Sequence, residues 1–166
     1  MLISDIHRWR YQEYYARNLV TYGLNSRAPA IMDLANKIGA VTLLDYGCGE
    51  GSQLRFALLD LQVRSYDPGI EQFAELPLAA DIVACLDVLE HCEPETVDAV
   101  IEHIKSLANK AIFLTISCQD SGNAKLLPDG TKWHTFVKQH EWWEERLPEF
   151  ECVSTDRKTY VGILIK

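Results

Sequence analysis

An α/β domain with a mostly parallel central sheet and a C-terminal antiparallel hairpin is predicted by three features of this sequence. Short apolar runs alternate with helical segments over residues 29–116. One of those runs ends in Gly47-Cys48-Gly49-Glu50-Gly51. The tail then changes character, with two strand-like segments around Asp156-Arg157-Lys158. Alternating strands and helices build parallel sheets, because a crossover must carry the chain back to the same end, whereas a short turn joins antiparallel neighbours.

The elements follow in order. Asp5 to Tyr22 reads as a helix with Tyr11, Tyr15, Leu19 and Tyr22 near one stripe. That stripe packs on the body of the protein or forms a lid over a substrate pocket, and residues 1–26 are taken as an N-terminal helical extension. Pro29 to Ile38 is a second helix, with proline in its first turn and Gly39 as its left-handed stop. Val41 to Tyr46 is a buried strand, Ser52 to Leu59 a helix, and Val63 to Tyr66 a second strand. Ala80 to Leu86 is a third buried strand.

Pro94 to Ala108 is the clearest helix, since Val97, Val100, Ile101, Ile104 and Leu107 keep the 3.6-residue period. Glu93 and Glu95 favour its positive N-terminus. Ala111 to Ile116 is a strand, Glu141 to Leu147 a short helix stopped by Pro148, and Phe150 to Ser154 pairs with Thr159 to Ile165.

Composition bounds the function. The 166 residues amount to a single domain, 48% apolar and 24% charged. The apolar runs are shorter than the roughly 18 residues that span a bilayer, so no membrane association is expected. Asp5, His7 and Arg8 interrupt what would be a secretory leader, which predicts a cytoplasmic protein. Five scattered cysteines without a CxxC pair argue for reduced, buried thiols rather than disulfides or a cysteine zinc site. A net charge of −8, with only Arg8/Arg10 and Arg157-Lys158 as basic clusters, disfavours nucleic acid as a partner.

The glycine run carries the ligand-binding signal. Glycine permits a tight turn and lets a ligand approach where a Cβ would block it. In open α/β sheets ligands lie outside the carboxyl ends of the strands, where this loop falls, and the helix expected after it would add a positive end. Asp67, in Tyr66-Asp67-Pro68-Gly69, ends the next strand twenty residues after Gly47. A carboxylate there can accept hydrogen bonds from both ribose hydroxyls of an adenosine cofactor. A nicotinamide-binding site has the same spacing, but its fingerprint wants glycine or alanine where this chain has Ser52.

Leu43-Leu44-Asp45-Tyr46-Gly47-Cys48-Gly49-Glu50-Gly51 resembles motif I of the class I S-adenosylmethionine-dependent methyltransferases. Tyr66-Asp67-Pro68 resembles their motif II, and Cys85-Leu86-Asp87-Val88-Leu89-Glu90-His91 the signature after their fourth strand. The resemblance runs from about Pro29 to the C-terminal hairpin and implies a Rossmann-like class I methyltransferase fold with S-adenosyl-L-methionine as cofactor. By it, Gly47, Cys48, Gly49 and Gly51 pack against the methionine part of the cofactor. Asp45 orients its amino group, Asp67 and Pro68 take the ribose, and Leu86-Asp87 line the methionine side. Only twenty residues separate Asp67 from Asp87, about half the family's usual interval. The third-strand region is therefore shortened or missing, with Ile70 and Leu76 as candidates for the adenine side.

The substrate side is sought after the fourth and fifth strands of the family, at Glu90-His91-Cys92 and in a substrate loop over residues 117–138. Methyl transfer needs an aligned acceptor, and an alcohol must also lose its proton. His91, His134 and Glu90 are the candidate catalytic residues, the two histidines because they titrate near neutrality. Some relatives carry a Glu-x-x-Glu-His metal triplet after strand four, with a further histidine after strand five. Asp87, Glu90, His91 and His134 stand at those places, which admits a divalent metal such as Mg²⁺. Trp142-Trp143 either stacks on an acceptor or clamps its helix onto the sheet.

The expectation is thus a monomeric or homodimeric methyltransferase that O-methylates a small molecule, such as a sugar or other metabolite. The alternatives are a nucleic-acid methyltransferase and a non-catalytic module that binds S-adenosylmethionine.

Overall fold

The computed structural model describes residues 1–17, 25–51, 53–122, 126–154 and 156–166. Its elements are α1 (Asp5–Arg17), α2 (Ala28–Ile38), β1 (Thr42–Tyr46), β2 (Gln62–Tyr66), β3 (Ala80–Leu86), α3 (Val97–Leu107), β4 (Ala108–Ser117), α4 (His140–Arg146), β5 (Glu151–Cys152) and β6 (Thr159–Ile165). The six strands form one sheet in the order β2-β1-β3-β4-β6-β5. The first four run parallel; β6 is antiparallel to β4 and to β5. The expected hairpin is therefore present, with its second strand inserted beside β4.

Alternating side chains divide the core between the two faces of the sheet. Leu43, Ile82, Ala84 and Phe113 meet α2 through Ile31 and Leu34. Leu44, Val83, Cys85, Ile112 and Leu114 meet Val100, Ile104 and Leu107 of α3 together with Trp143 of α4. Ile104 is 1% exposed, so its truncation to alanine would cost about 2–5 kcal/mol. Pro29 lies in the first turn of α2, and Gly39, at φ 62°, donates its N–H back to the last turn. Ser4 starts α1 by accepting the His7 N–H at 3.1 Å.

Three expectations are corrected. The helix sought at Ser52 to Leu59 is a run of turns over 53–57, held by Ala57 and Leu58 N–H groups on the Leu54 carbonyl at 3.0 Å. An eight-residue helix would rise only ~12 Å, short of the ~17 Å needed to return past a five-residue strand, so the connection stays partly extended. The helix of residues 94–108 begins at Val97, and Ala108 belongs to β4. The strand expected over 150–154 pairs only at Glu151–Cys152. The last part of the first helix, with Leu19 and Tyr22, lies outside the described residues.

Between β2 and β3 the described chain contains one 3-10 turn, Glu71–Phe73, and no strand. β2 is consequently an edge of the sheet.

Candidate functional site

The sheet changes direction between β1 and β3: the chain goes from β1 outward to β2, then crosses to β3 on the other side. Outside the carboxyl ends of β1 and β3 lies a cavity of about 480 Å³. Such a switch point is where α/β sheets bind ligands, and the volume falls within the ~300–1,000 Å³ common for small-molecule sites.

Gly47 closes β1 at φ 76°, and a Cβ on it would lie 2.4 Å from the Val88 Cγ2. The turn thus requires glycine twice over, for its backbone angle and for the approach of the β3 end. Gly51, at φ 79°, is covered by the Phe73 ring, which an added Cβ would meet at 2.7 Å. Asp67 holds this loop together, accepting the Gly49 N–H at 2.9 Å and the Gly69 N–H at 2.8 Å.

Asp87, just past β3, has φ 54°, a left-handed angle that an ordinary side chain adopts at a cost of about 1–3 kcal/mol. Thr115 offsets part of that cost: its hydroxyl donates to Asp87 Oδ1 at 2.9 Å, and its carbonyl accepts the Asp87 N–H at 2.9 Å. Asp87 borders the cavity.

Of the residues selected from the sequence, Gly47, Gly49, Asp67, Pro68, Leu86, Asp87, Glu90, His91 and His134 border this cavity. Asp45, Cys48 and Gly51 lie behind the wall, with Asp45 only 4% exposed. Ile70 and Leu76 do not border the cavity, and Leu76 is 71% exposed. The positive helix end expected after the glycine turn is missing too, because no helix follows it among the described residues. Trp142 and Trp143 are packed against each other and Phe136 on the α3 side, away from the cavity.

Glu90, His91 and His134 come together, with one ligand-capable atom from each within 4.8 Å of the others. Asp87 is not part of that cluster. Glu90 is fully buried on a short 3-10 turn. Its Oε1 accepts the Ser117 N–H at 3.0 Å, while Oε2 has no partner among the described residues. His91 Nδ1 bonds the Trp133 carbonyl at 2.8 Å, and His134 Nδ1 bonds the Gln119 carbonyl at 2.6 Å. A main-chain carbonyl on one ring nitrogen fixes the imidazole and directs the other nitrogen away from it, the arrangement found in histidine metal ligands.

Three buried carboxyls at or behind the cavity wall, Glu90, Asp45 and Asp67, are hard to ionise. Burial pushes Glu90 up to about 8, and the nearby Asp87 charge adds to it. Burial raises Asp45 to about 7, with a contribution from Asp67. Burial also raises Asp67 to about 6 against the lowering effect of its two main-chain donors.

The N-terminal helix roofs this cavity. His7, 3% exposed, bonds the His91 carbonyl through Nε2 at 2.7 Å, and Ser4 donates its N–H and hydroxyl to Glu93 at 2.8 and 2.5 Å. Tyr11 and Tyr14 pack on Trp133, with centroids 5.2 and 4.3 Å apart. Arg10 is salt-bridged to Asp129 in the 117–138 segment. The described part of the aromatic stripe packs on Trp133 of the body, and Tyr11 and Tyr15 also border the cavity. His7 was missed, although it lies four residues before Tyr11 and eight before Tyr15, on the same face.

No protein-family profile and no curated protein matches the chain. Solved structures do. A magnesium protoporphyrin IX methyltransferase from Synechocystis PCC 6803 with bound SAH superposes at TM-score 0.58 and 16% identity, over 97% of this chain and 94% of the other. TehB from Haemophilus influenzae gives 0.61 and 16%, over 94% and 67%. A Burkholderia thailandensis 1,6-didemethyltoxoflavin-N1-methyltransferase with bound 1,6-didemethyltoxoflavin and S-adenosylhomocysteine gives 0.61 and 17%, over 85% and 77%. The chain therefore has the Rossmann-like fold that these methyltransferases share.

Proposed function

We propose that the protein is an S-adenosyl-L-methionine-dependent methyltransferase acting on the hydroxyl of a small molecule. The observation that carries this is the cavity at the switch point, walled by Gly47 and Gly49 on one side and by the Asp67, Asp87 and Glu90 carboxylates on the others. A ligand bearing a sulfonium and an ammonium group suits such an acidic wall. Neighbouring structures of the same fold contain the demethylated cofactor. Gly47 and Gly49 take the methionine part, Asp67 and Pro68 the ribose, and Leu86 with Asp87 the side of the transferred methyl group. Asp45 acts from behind through the strand end.

The acceptor then lies between the glycine turn and the lid, against His91, His134 and Trp133. Transfer is a direct displacement in which the acceptor oxygen attacks the methyl carbon and the thioether leaves. The enzyme supplies alignment and a destination for the hydroxyl proton. Glu90 is buried, holds its own proton up to about pH 8 and has an unshared oxygen; once the cationic cofactor has favoured its ionised form, its carboxylate can take the hydroxyl proton directly or through His91.

Glu90, His91 and His134 would hold a divalent ion, and both imidazoles are anchored as ligands require. Such an ion lowers the pKa of an acceptor hydroxyl. The roof formed by α1 favours a small acceptor over a nucleic acid strand, as does the −8 charge.

Calorimetric titration with S-adenosylmethionine and S-adenosylhomocysteine, with and without Mg²⁺, tests the reading. Micromolar binding weakened in Asp67→Ala supports it, and no binding of either ligand refutes it. Firm binding without turnover across a broad acceptor panel would leave the non-catalytic module as the better description.

A further inference from the structure

A second cluster of metal-ligating groups lies away from the cavity, where α4 rests on the β5–β6 hairpin. His140 and Glu144 are one helical turn apart and share a face of α4. Cys152 comes from β5 opposite. One ligand-capable atom from each lies within 4.8 Å of the other two. The His140 Nε2 is 3.7 Å from the Cys152 Sγ, and the His140 Nδ1 is 3.7 Å from a Glu144 oxygen. A tetrahedral zinc site with Zn–S of ~2.3 Å and Zn–N of ~2.0 Å places those two atoms about 3.6 Å apart. The Cys152–His140 pair therefore needs almost no adjustment, and the half-exposed Glu144 carboxylate, now beside the other ring nitrogen, has to swing in to complete the set.

An independent feature of the same spot asks for a ligand. The Tyr160 side chain is fully buried with its ring centroid 5.5 Å from that of His140, and its hydroxyl has no hydrogen-bond partner among the described residues. The hydroxyl lies over Gly162, where an added Cβ would be 2.9 Å away, and Gly162 is the ladder partner of Cys152. Burial first, then the neighbouring Cys152 and Glu144, raise this phenol.

We propose that His140, Cys152 and Glu144 bind a zinc ion that pins α4 to the C-terminal hairpin, with Tyr160 facing its fourth position. Thiolate, imidazole and carboxylate together select a borderline cation in a tetrahedral setting rather than Mg²⁺ or Ca²⁺. Binding exchanges the Cys152 thiol proton for the metal and releases it to solvent. The site has a structural role: α4 follows the 117–138 segment directly, so fixing it anchors the far end of that loop.

Chelator-treated full-length protein would be titrated with Co²⁺ and then Zn²⁺. The expected result is a thiolate-to-cobalt charge-transfer band with tetrahedral d–d absorption. It should saturate at about one equivalent, be displaced by Zn²⁺ and be accompanied by a rise in Tm. Cys152→Ser and His140→Ala should abolish the charge-transfer band, and Glu144→Gln should weaken affinity ~10–100-fold. His91→Ala and His134→Ala should leave it intact. Cys152→Ser is nearly isosteric and keeps the test valid should His140→Ala fail to fold. The proposal is overturned by a missing band in folded protein, by a band that survives Cys152→Ser, or by zinc binding that disappears only in the His91 or His134 variant.

Discussion

The Asp67 carboxylate accepts the Gly49 N–H at 2.9 Å, so the end of β2 holds the glycine turn that ends β1. Its other oxygen accepts the Gly69 N–H. The same side chain that is proposed to meet the ribose therefore also shapes the loop around the methionine part. Asp67→Ala should weaken S-adenosylmethionine binding by about 10–100-fold and also lower stability, since a buried donor left unpaired costs about 1–3 kcal/mol. Asp67→Asn keeps one acceptor oxygen and should lose less stability than affinity. Calorimetry and thermal unfolding of the two variants check this; equal affinity in all three proteins would remove Asp67 from the binding site.

Gly47 and Val88 test the junction of β1 and β3. Gly47→Ala places a methyl carbon 2.4 Å from the Val88 Cγ2 at φ 76°. Two costs add, a steric one relieved by a smaller partner and a backbone one that no partner relieves. Gly47→Ala should destabilise by about 2–4 kcal/mol in total, and adding Val88→Ala should recover only part of it. Urea unfolding of the single and double variants measures the coupling. Full recovery would mean that the turn carries no conformational strain.

The strand ends were legible in the sequence because glycine and aspartate have strong reasons to follow a buried parallel strand. The apolar faces of α2 and α3 were legible for the same reason. The stretch after Gly51 was not: Leu54, Leu58 and Leu61 keep a helical spacing and are buried, but the span they must cross is too long for a helix of that size. His7 and Trp133 join the site through the lid, by contacts of His7 with His91 and of Tyr11 and Tyr14 with Trp133 that link distant parts of the chain, and local periodicity carries no trace of them. The grouping of Glu90, His91 and His134 was suggested by resemblance, whereas Asp87, whose carboxyl is bonded by the Thr115 hydroxyl, stands outside it.

The lid is held by polar contacts at its start and middle, Ser4 on Glu93 and Arg10 on Asp129. Glu93 is only partly buried, and the two Ser4 donors hold its carboxyl below the usual range against the effect of burial. Glu93→Ala removes the acceptor and should free the first turn of α1 while leaving the sheet intact. Faster amide exchange over residues 4–17 and a change in Trp133 fluorescence are expected, with Tm lowered by only a few degrees. If the lid governs acceptor access, the variant should change KM for the acceptor more than affinity for the cofactor. Unchanged exchange in α1 would show that the aromatic contacts with Trp133 suffice to hold it.

Glu90 gives the protein a stability that falls as pH rises. Burial, reinforced by Asp87, moves its carboxyl from an ordinary value of 4.5 up to about 8. Between those values the folded chain retains a proton that the unfolded chain releases, so raising the pH favours unfolding. The contribution is fully present below pH 4.5 and lost as pH passes 8; Asp45 and Asp67 act in the same direction, up to about 7 and 6. Glu90→Gln keeps an oxygen for the Ser117 N–H and cannot ionise. It should match the wild type near pH 4.5 and exceed it at pH 8 by up to about 4 kcal/mol. A cationic ligand should reverse the tendency by stabilising the ionised carboxyls. Binding of S-adenosylmethionine at pH 7 should then release protons, seen as a dependence of the calorimetric heat on buffer ionisation enthalpy, and the release should shrink in Glu90→Gln. Identical pH–stability curves for wild type and variant would show that Glu90 is already ionised in the folded protein, and the proton release on cofactor binding would then be absent while the carboxylate stood ready to accept the hydroxyl proton.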